Sequence, residues 1–321
     1  MVKTIGVVTS GGDAPGMNAA IRAVTRLASA LGFRVLGFER GWEGLINNLF
    51  RLLTPRSVGG IIQLGGTILL TSRCPEFKTW EGIRKAADNL VADNVDGLVV
   101  IGGEGSFRGA LELSRETGAL IVGVPATIDN DVYGSDETIG FDTAVNTAVA
   151  EIDKIRDTAI SHERVFVVEV MGRRRGFLAA TVGLTVGAEV ILVPEVSIDM
   201  EEVFRTVKEN AAKGKRSGII VAAEGVGDTR RIAEEIEANT GAEVRLSIVG
   251  YAQRGGSPTA RSRLLASLFA EEAVQLIMQG VGNRVVGLQK GLITNISLEE
   301  TCKNQKTLDT RLLKLAKTLA T

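Results

Sequence analysis

The feature that most constrains this chain is a rhythm: short β-branched runs, apolar on both faces, alternate with longer stretches of helical spacing. The runs fall at 4–9, 34–38, 97–101, 120–124, 164–170, 190–193, 218–223 and 246–249. A strand that is apolar on both faces needs cover on both sides, which is the condition of parallel strands in βα units. The class is therefore α/β. The stretches between agree: in 17–30, Ile21, Val24 and Ala28 share one stripe, while Arg22 and Arg26, four residues apart, share another. The charged stretch 199–216 reads as a solvated amphipathic helix that ends in a basic turn. Each half of the chain offers several βα units. The expectation is two similar α/β layers with an active cleft between them, because such sheets bind ligands outside the carboxyl ends of their strands.

Composition removes several function classes. The 37 Lys and Arg offset 38 Asp and Glu, so a net charge of −1 gives no bulk attraction to nucleic acid or anionic lipid, and anion binding must come from local clusters. The first apolar run breaks at Ser10-Gly11-Gly12, too soon for a signal peptide or membrane span, and a cytoplasmic location follows. Cys74 and Cys302 are the only cysteines and His162 the only histidine, which leaves no disulfide framework, no zinc cluster and no scheme with two histidines. Six prolines against 38 glycines point to tight strand-to-helix turns.

Three such turns carry chemistry. Ser10-Gly11-Gly12-Asp13-Ala14-Pro15-Gly16-Met17-Asn18 follows the first strand and opens the first helix, where glycine backbone and helix dipole favour an anion. An ordinary tight turn would use the same glycines, and neither a Walker motif nor GxGxxG occurs. Gly102-Gly103-Glu104-Gly105-Ser106 repeats the pattern with a carboxylate, which either marks a magnesium position or simply suits the helix N-terminus. Pro125-Ala126-Thr127-Ile128-Asp129-Asn130-Asp131 follows another strand. Its crowded polar groups suit a loop that handles a hydroxyl and a metal, although either Asp could be a cap or turn residue. Arg73, Arg164, Arg173, Arg245 and Arg254 are candidate phosphate contacts, because guanidinium groups bind phosphate bidentately; most surface arginines do not, and only those flanked by glycine turns or adjoining apolar strands stand above that.

Together with Val168-Glu169-Val170-Met171-Gly172-Arg173 and Gln253-Arg254-Gly255-Gly256-Ser257-Pro258, these segments resemble the bacterial 6-phosphofructokinases, in order from Ile5 to about Gly291. The resemblance implies two Rossmann-like α/β domains with mainly parallel sheets. A larger ATP-binding domain would span 1–139 and 252–304, and a smaller fructose 6-phosphate domain 140–251 and 305–321. It implies that Asp129 is the base for the C1 hydroxyl of fructose 6-phosphate, with Thr127 and Asp131 in the same pocket and Arg73 and Arg173 assisting catalysis. Met171, Gly172, Arg173, Glu224, Tyr251 and Arg254 would contact the sugar phosphate, and Arg164 and Arg245 would reach a neighbouring subunit's site in a homotetramer. Gly12, Arg73, Cys74, Gly102, Gly103, Glu104, Gly105 and Ser106 would form the nucleotide side, with Glu104 near Mg2+. Arg22, Arg26, Arg156, Gly187, Glu189, Lys213 and Lys215 match an effector site for ADP or phosphoenolpyruvate.

Two positions bear on the donor. Pyrophosphate-dependent relatives typically carry Asp where this chain has Gly105 and Lys where it has Ala126, so open, uncharged space favours ATP. The alternatives are a pyrophosphate-dependent enzyme of the same fold and a non-catalytic nucleotide-sensing subunit. Three departures stand out. Glu104 replaces an Asp. Tyr251 replaces a His and cannot become cationic near neutral pH, and Pro55 replaces an effector-contacting Arg.

Overall fold

The computed structural model describes residues 3–320 and divides into two compact units. Unit 1 comprises residues up to Thr143 together with Arg254–Lys306, and unit 2 comprises Ala144–Gln253 together with residues from Thr307 onward. The chain thus leaves unit 1 and returns to it.

The strands of unit 1 are β1 (Thr4–Thr9), β2 (Arg34–Phe38), β3 (Phe50–Leu53), β4 (Val95–Gly102), β5 (Leu120–Thr127) and the short β6 (Ile139–Gly140). Unit 2 holds β7 (Val165–Val170), β8 (Val190–Leu192), β9 (Gly218–Ala223) and β10 (Val244–Ile248), and the returning segment adds β11 (Arg284–Gln289) and β12 (Leu292–Ser297) to unit 1. The helices are α1 (Met17–Ala30), α2 (Trp42–Ile46), α3 (Trp80–Ala92), α4 (Glu104–Glu116), α5 (Phe141–Ser161), α6 (Phe177–Thr185), α7 (Met200–Ala212), α8 (Thr229–Thr240), α9 (Ala260–Met278), α10 (Leu298–Lys303) and α11 (Arg311–Leu319). No helix among the described residues is long and apolar enough to cross a membrane.

In unit 1 the sheet order is β12-β11-β5-β4-β1-β2-β3, with β6 paired to the end of β5. The inner pairs are parallel, and β3 and β12 close the two edges antiparallel. The central strands β1 and β4 are buried along almost their whole length, as their two-sided apolar runs require. One core beside this sheet packs Phe38, Leu98, Val100, Phe107 and Leu113, and Trp42 stacks on Phe77 with ring centroids 4.2 Å apart. Unit 2 has a four-stranded parallel sheet, β10-β7-β9-β8, whose core gathers Val167, Phe204, Ile220 and Ile236.

Several expected elements coincide with the observed ones. β1, β2, β9 and α1 keep the expected limits, and α7 starts one residue after Asp199, whose carboxylate caps it by accepting from the Glu202 N–H. Two edge strands went unforeseen, since β3 and β12 carry mixed burial and lack a continuous apolar run. The segment read as a loop from Pro125 also begins within a strand, because β5 continues to Thr127. β11 pairs with Val122 and Gly123 and β6 with Ala126 and Thr127, so Pro125 lies in the gap between two partners on that side. Its missing N–H costs no ladder bond there.

Candidate active site

Strand order decides which loops meet. β5, β4 and β1 are neighbours, with Thr9 opposite Ile101 and Gly102 opposite Pro125. The three polar segments therefore leave the carboxyl ends of three adjacent strands, the position where open α/β sheets bind ligands.

The first two loops are pressed together. The Ser10 N–H donates to the Ile101 carbonyl at 3.0 Å. A Cβ at Gly102 would stand 2.5 Å from the Ser10 carbonyl oxygen and 2.5 Å from Ser106 Oγ, so only glycine lets the loops close this far. Ser106 is buried, and its hydroxyl has no hydrogen-bond partner in the protein. A buried polar group left this way is a natural contact for a ligand oxygen. Gly105 lies beside open space, with nothing within 4 Å of the Cβ it lacks.

Glu104 is the first residue of α4, and its carboxylate is paired with Arg108 one turn on. The negative charge thus stands in the first turn of a helix, where the dipole favours it. Arg73 is exposed in a loop fixed on both sides: Thr71 Oγ1 donates to the Gly11 carbonyl at 2.8 Å, and Ser72 Oγ donates to the Arg40 carbonyl at 2.9 Å and to Glu43 at 2.7 Å. Cys74 packs half-buried against the core. Gly11 links this loop to the third element of the corner, since a Cβ there would stand 3.0 Å from Ser106 Oγ.

The third loop is tied together by its own hydrogen bonds. Thr127 Oγ1 accepts the Asp129 N–H at 3.2 Å, and the Thr127 carbonyl accepts Thr138 Oγ1 at 2.6 Å. Asn130, buried and at φ 53°, holds a left-handed conformation that its side chain stabilises by donating to the Asp136 carbonyl at 3.2 Å. Asp129 is buried and Asp131 half-buried. The returning segment braces the loop: Ser135 Oγ accepts the Leu288 N–H at 3.0 Å, Asp136 Oδ2 accepts the Lys290 N–H at 2.7 Å, and Arg261 meets Glu137 at 2.7 Å. Arg254 is tied to the first glycine loop, its Nη2 donating to Asp13 Oδ1 at 2.6 Å.

In unit 2, the turn after β7 meets the turn after β9. The Arg173 N–H donates to a Glu224 carboxylate oxygen, and Gly225 packs so closely that a Cβ there would strike the Arg173 carbonyl. Met171, Gly172, Arg173 and Glu224 are thus brought together, with Gly172 at φ 135° and Arg173 at φ 53°. Tyr251, in the 3-10 turn Gly250–Arg254, is 78% exposed. Arg164 and Arg245 share a carboxylate that sequence reasoning missed: Glu243 pairs with both. The hydrogen bond from Arg164, followed by the charges of both arginines, holds that exposed carboxyl below its usual range, against an opposing effect of desolvation.

The effector candidates are distributed between the units. Arg22 and Arg26 stand on α1 in unit 1, where Arg26 donates to the carbonyl of Pro55 at 3.3 Å. In unit 2, Arg156 donates to the Val186 carbonyl beside Gly187, and the buried Glu189 accepts the Ile219 N–H at 2.6 Å and pairs with Lys215. Glu189 and Lys213 also line a cavity of about 280 Å³ under α11.

A mainly parallel α/β protein with glycine turns and a braced pair of carboxylates at adjacent strand ends is built to hold phosphates and orient a hydroxyl, as a phosphotransferase must. Comparison with known proteins makes the class specific. The family model described as Phosphofructokinase matches residues 4–277. ATP-dependent 6-phosphofructokinase 1 of Thermus thermophilus is 51% identical over 321 residues, covering 99% of this chain and 100% of the relative. The ATP-dependent 6-phosphofructokinase of Lysinibacillus sphaericus is 50% identical over 319 residues, with 99% and 100% covered. Among solved structures, the Pichia pastoris phosphofructokinase in the T-state superposes with a TM-score of 0.88 at 33% identity, covering 94% of this chain and 36% of that one. The chain thus spans about a third of the length of that yeast protein. The pyrophosphate-dependent phosphofructokinase of Marinobacter aquaeolei, at 21% identity and TM-score 0.85 with 97% and 86% covered, shares the fold. The chain belongs to the phosphofructokinase family.

Proposed function

We propose that this chain transfers the γ-phosphoryl group of ATP to the C1 hydroxyl of fructose 6-phosphate, the committed reaction of a glycolytic 6-phosphofructokinase. The observation that carries the reading is the buried Asp129 on a braced loop, one strand away from a glycine turn with open space at Gly105. Asp129 takes the hydroxyl proton, and Thr127 and Asp131 complete the pocket around the acceptor. Gly12, Gly102, Gly103, Gly105 and Ser106 cradle the nucleotide, with the Ser106 hydroxyl available to a ligand oxygen. Arg73 and Arg173 balance charge on the transferring group, and Cys74 lines the nucleotide side. On the sugar phosphate, Met171, Gly172, Arg173, Glu224, Tyr251 and Arg254 supply contacts, Arg173 and Arg254 the cationic ones.

Magnesium fits the nucleotide corner as a counter-ion of the phosphates. Among the described residues no three ligating side chains converge, and Glu104 offers a single carboxylate next to the open backbone at Gly105. A cation that keeps waters and phosphate oxygens in its shell needs little more. Glu104 would hold it, sharing its charge with Arg108, and the ion would supply charge neutralisation. We extend the reading to a cytoplasmic homotetramer in which Arg164 and Arg245 complete a neighbour's sugar site. Arg22, Arg26, Arg156, Gly187, Glu189, Lys213 and Lys215 would bind ADP or phosphoenolpyruvate as effector.

The test is steady-state turnover with fructose 6-phosphate, magnesium and ATP or pyrophosphate as sole donor. ATP should support turnover and pyrophosphate should not. Asp129→Ser should lose roughly two to four orders of magnitude in kcat while remaining folded. Near-normal turnover in that variant removes Asp129 from the role of base.

A further inference from the structure

We propose that Lys306 is a positioning residue for the Asp129 loop, acting from the end of the returning segment through the Asp136 carbonyl. The inference rests on the reading of Asp129 as base. Lys306 Nζ donates to that carbonyl at 2.9 Å, and the same oxygen accepts Asn130 Nδ2 at 3.2 Å. One backbone oxygen thus joins Lys306 to the residue that directly follows the base. Asn130 is in the left-handed region, at φ 53°, a conformation that costs energy and persists only where its surroundings over-determine it.

The charge of Lys306 acts in the same place. Burial pulls its ammonium down to about 8, against the raising influence of Asp136, Asp131 and Glu137, so it remains cationic at neutral pH. A half-buried ammonium is a poor filler, and an apolar side chain of that length would occupy the space at lower cost. What the ammonium adds is a charge-assisted bond to the loop backbone and a counter-charge for its carboxylates. Arg261 already engages Glu137, which leaves Lys306 oriented toward the Asp136 and Asp131 end of the loop. A base must be held to within a fraction of an ångström of the proton it removes, so loosening Asn130 should lower turnover more than binding.

The experiment compares Lys306→Met, Lys306→Arg and Asp129→Ser, alone and with Lys306→Met added to Asp129→Ser. Lys306→Met should lower kcat roughly tenfold and leave KM for ATP within about twofold, while Lys306→Arg should recover most of the loss, as expected for a charged hydrogen bond. In the Asp129→Ser background, Lys306→Met should change the residual turnover by less than about twofold. The proposal is overturned if kcat of Lys306→Met stays within twofold of the parent, if Lys306→Arg recovers nothing, or if KM for ATP rises in step with the loss. Should Lys306→Met fail to fold, Lys306→Gln, which keeps an N–H donor and loses the charge, must still lose at least threefold in kcat. Asp129→Ser separates the two readings: normal turnover there defeats the base assignment, whereas an inactive Asp129→Ser beside a normal Lys306→Met defeats only the role of Lys306.

Discussion

Replacing Gly102 with alanine would drive a methyl group into the Ser10 carbonyl and the Ser106 side chain, whose anchoring atoms have little freedom to withdraw. It would meet the Ser10 carbonyl oxygen and Ser106 Oγ, each at 2.5 Å, and Ser106 Cβ at 2.8 Å. Ser10 is held by its own hydrogen bond to Ile101, and Ser106 is buried in the first turn of α4. Relief to an ordinary contact separates the two glycine loops by about 1 Å, and overpacking of this kind costs about 1–3 kcal/mol. A misplacement of about 1 Å between binding groups can cost on the order of a hundredfold in catalysis. Gly102→Ala should therefore lower the urea-unfolding free energy by about 1–3 kcal/mol and kcat/KM for ATP by on the order of 10²-fold. Gly105→Ala is the matched control, because nothing lies within 4 Å of the Cβ it would gain. It should unfold at the parent's urea midpoint and still raise KM for ATP, since only the bound nucleotide would meet the new methyl. A Gly102→Ala protein with the parent's midpoint and KM, or a Gly105→Ala protein as destabilised as Gly102→Ala, would refute the reasoning.

Two further outcomes follow from titrating groups in unit 1. Burial pushes the Cys302 thiol up to about 11, so almost no thiolate exists at pH 8; mass spectrometry after brief iodoacetamide treatment of the folded protein should find Cys302 unmodified, and labelling at the rate of a free thiol would contradict this. Lys306 is depressed from 10.5 to about 8, so between those values the unfolded chain binds a proton that the folded one does not. Its penalty is present in full below pH 8 and relieved above it, and the unfolding free energy of the parent relative to Lys306→Met should rise by about 2 kcal/mol from pH 7 to 10. A flat or falling difference would place Lys306 in solvent.

What could be read in advance was local. β1, β2, β9 and α1 were legible to the residue because a two-sided apolar run or a helical stripe is a property of the segment itself. β11 is absent from the expected runs although Val285, Val286 and Leu288 gave it a usable signal, whereas the residues of β3 and β12 are too mixed to announce a strand. The three polar segments could be recognised because each follows an apolar run. Their adjacency could not, since β1 and β4 pair across about ninety residues. Longer reaches were still less visible: Arg254 finds Asp13 241 positions away, and Lys306 finds Asp136 at a separation of 170. Glu243 carries no local signal, and only its shared pairing with Arg164 and Arg245 marks it out. Such partners are chosen by the path of the chain, on which short-range spacing is silent.

That path also sets an order of manufacture. A ribosome delivers β1 to β6 first, then most of unit 2, and only afterwards the residues from Arg254 onward that finish unit 1. Until Arg284 and Val285 emerge to pair with Val122 and Gly123, β5 has an open side that invites other strands. Until Lys290 and Lys306 emerge, Asp136 lacks two of the bonds that stiffen the loop around Asp129. A nascent chain halted at residue 253 would carry the carboxylates of the site without their braces, so competence arrives with the last part of the larger unit to be synthesised.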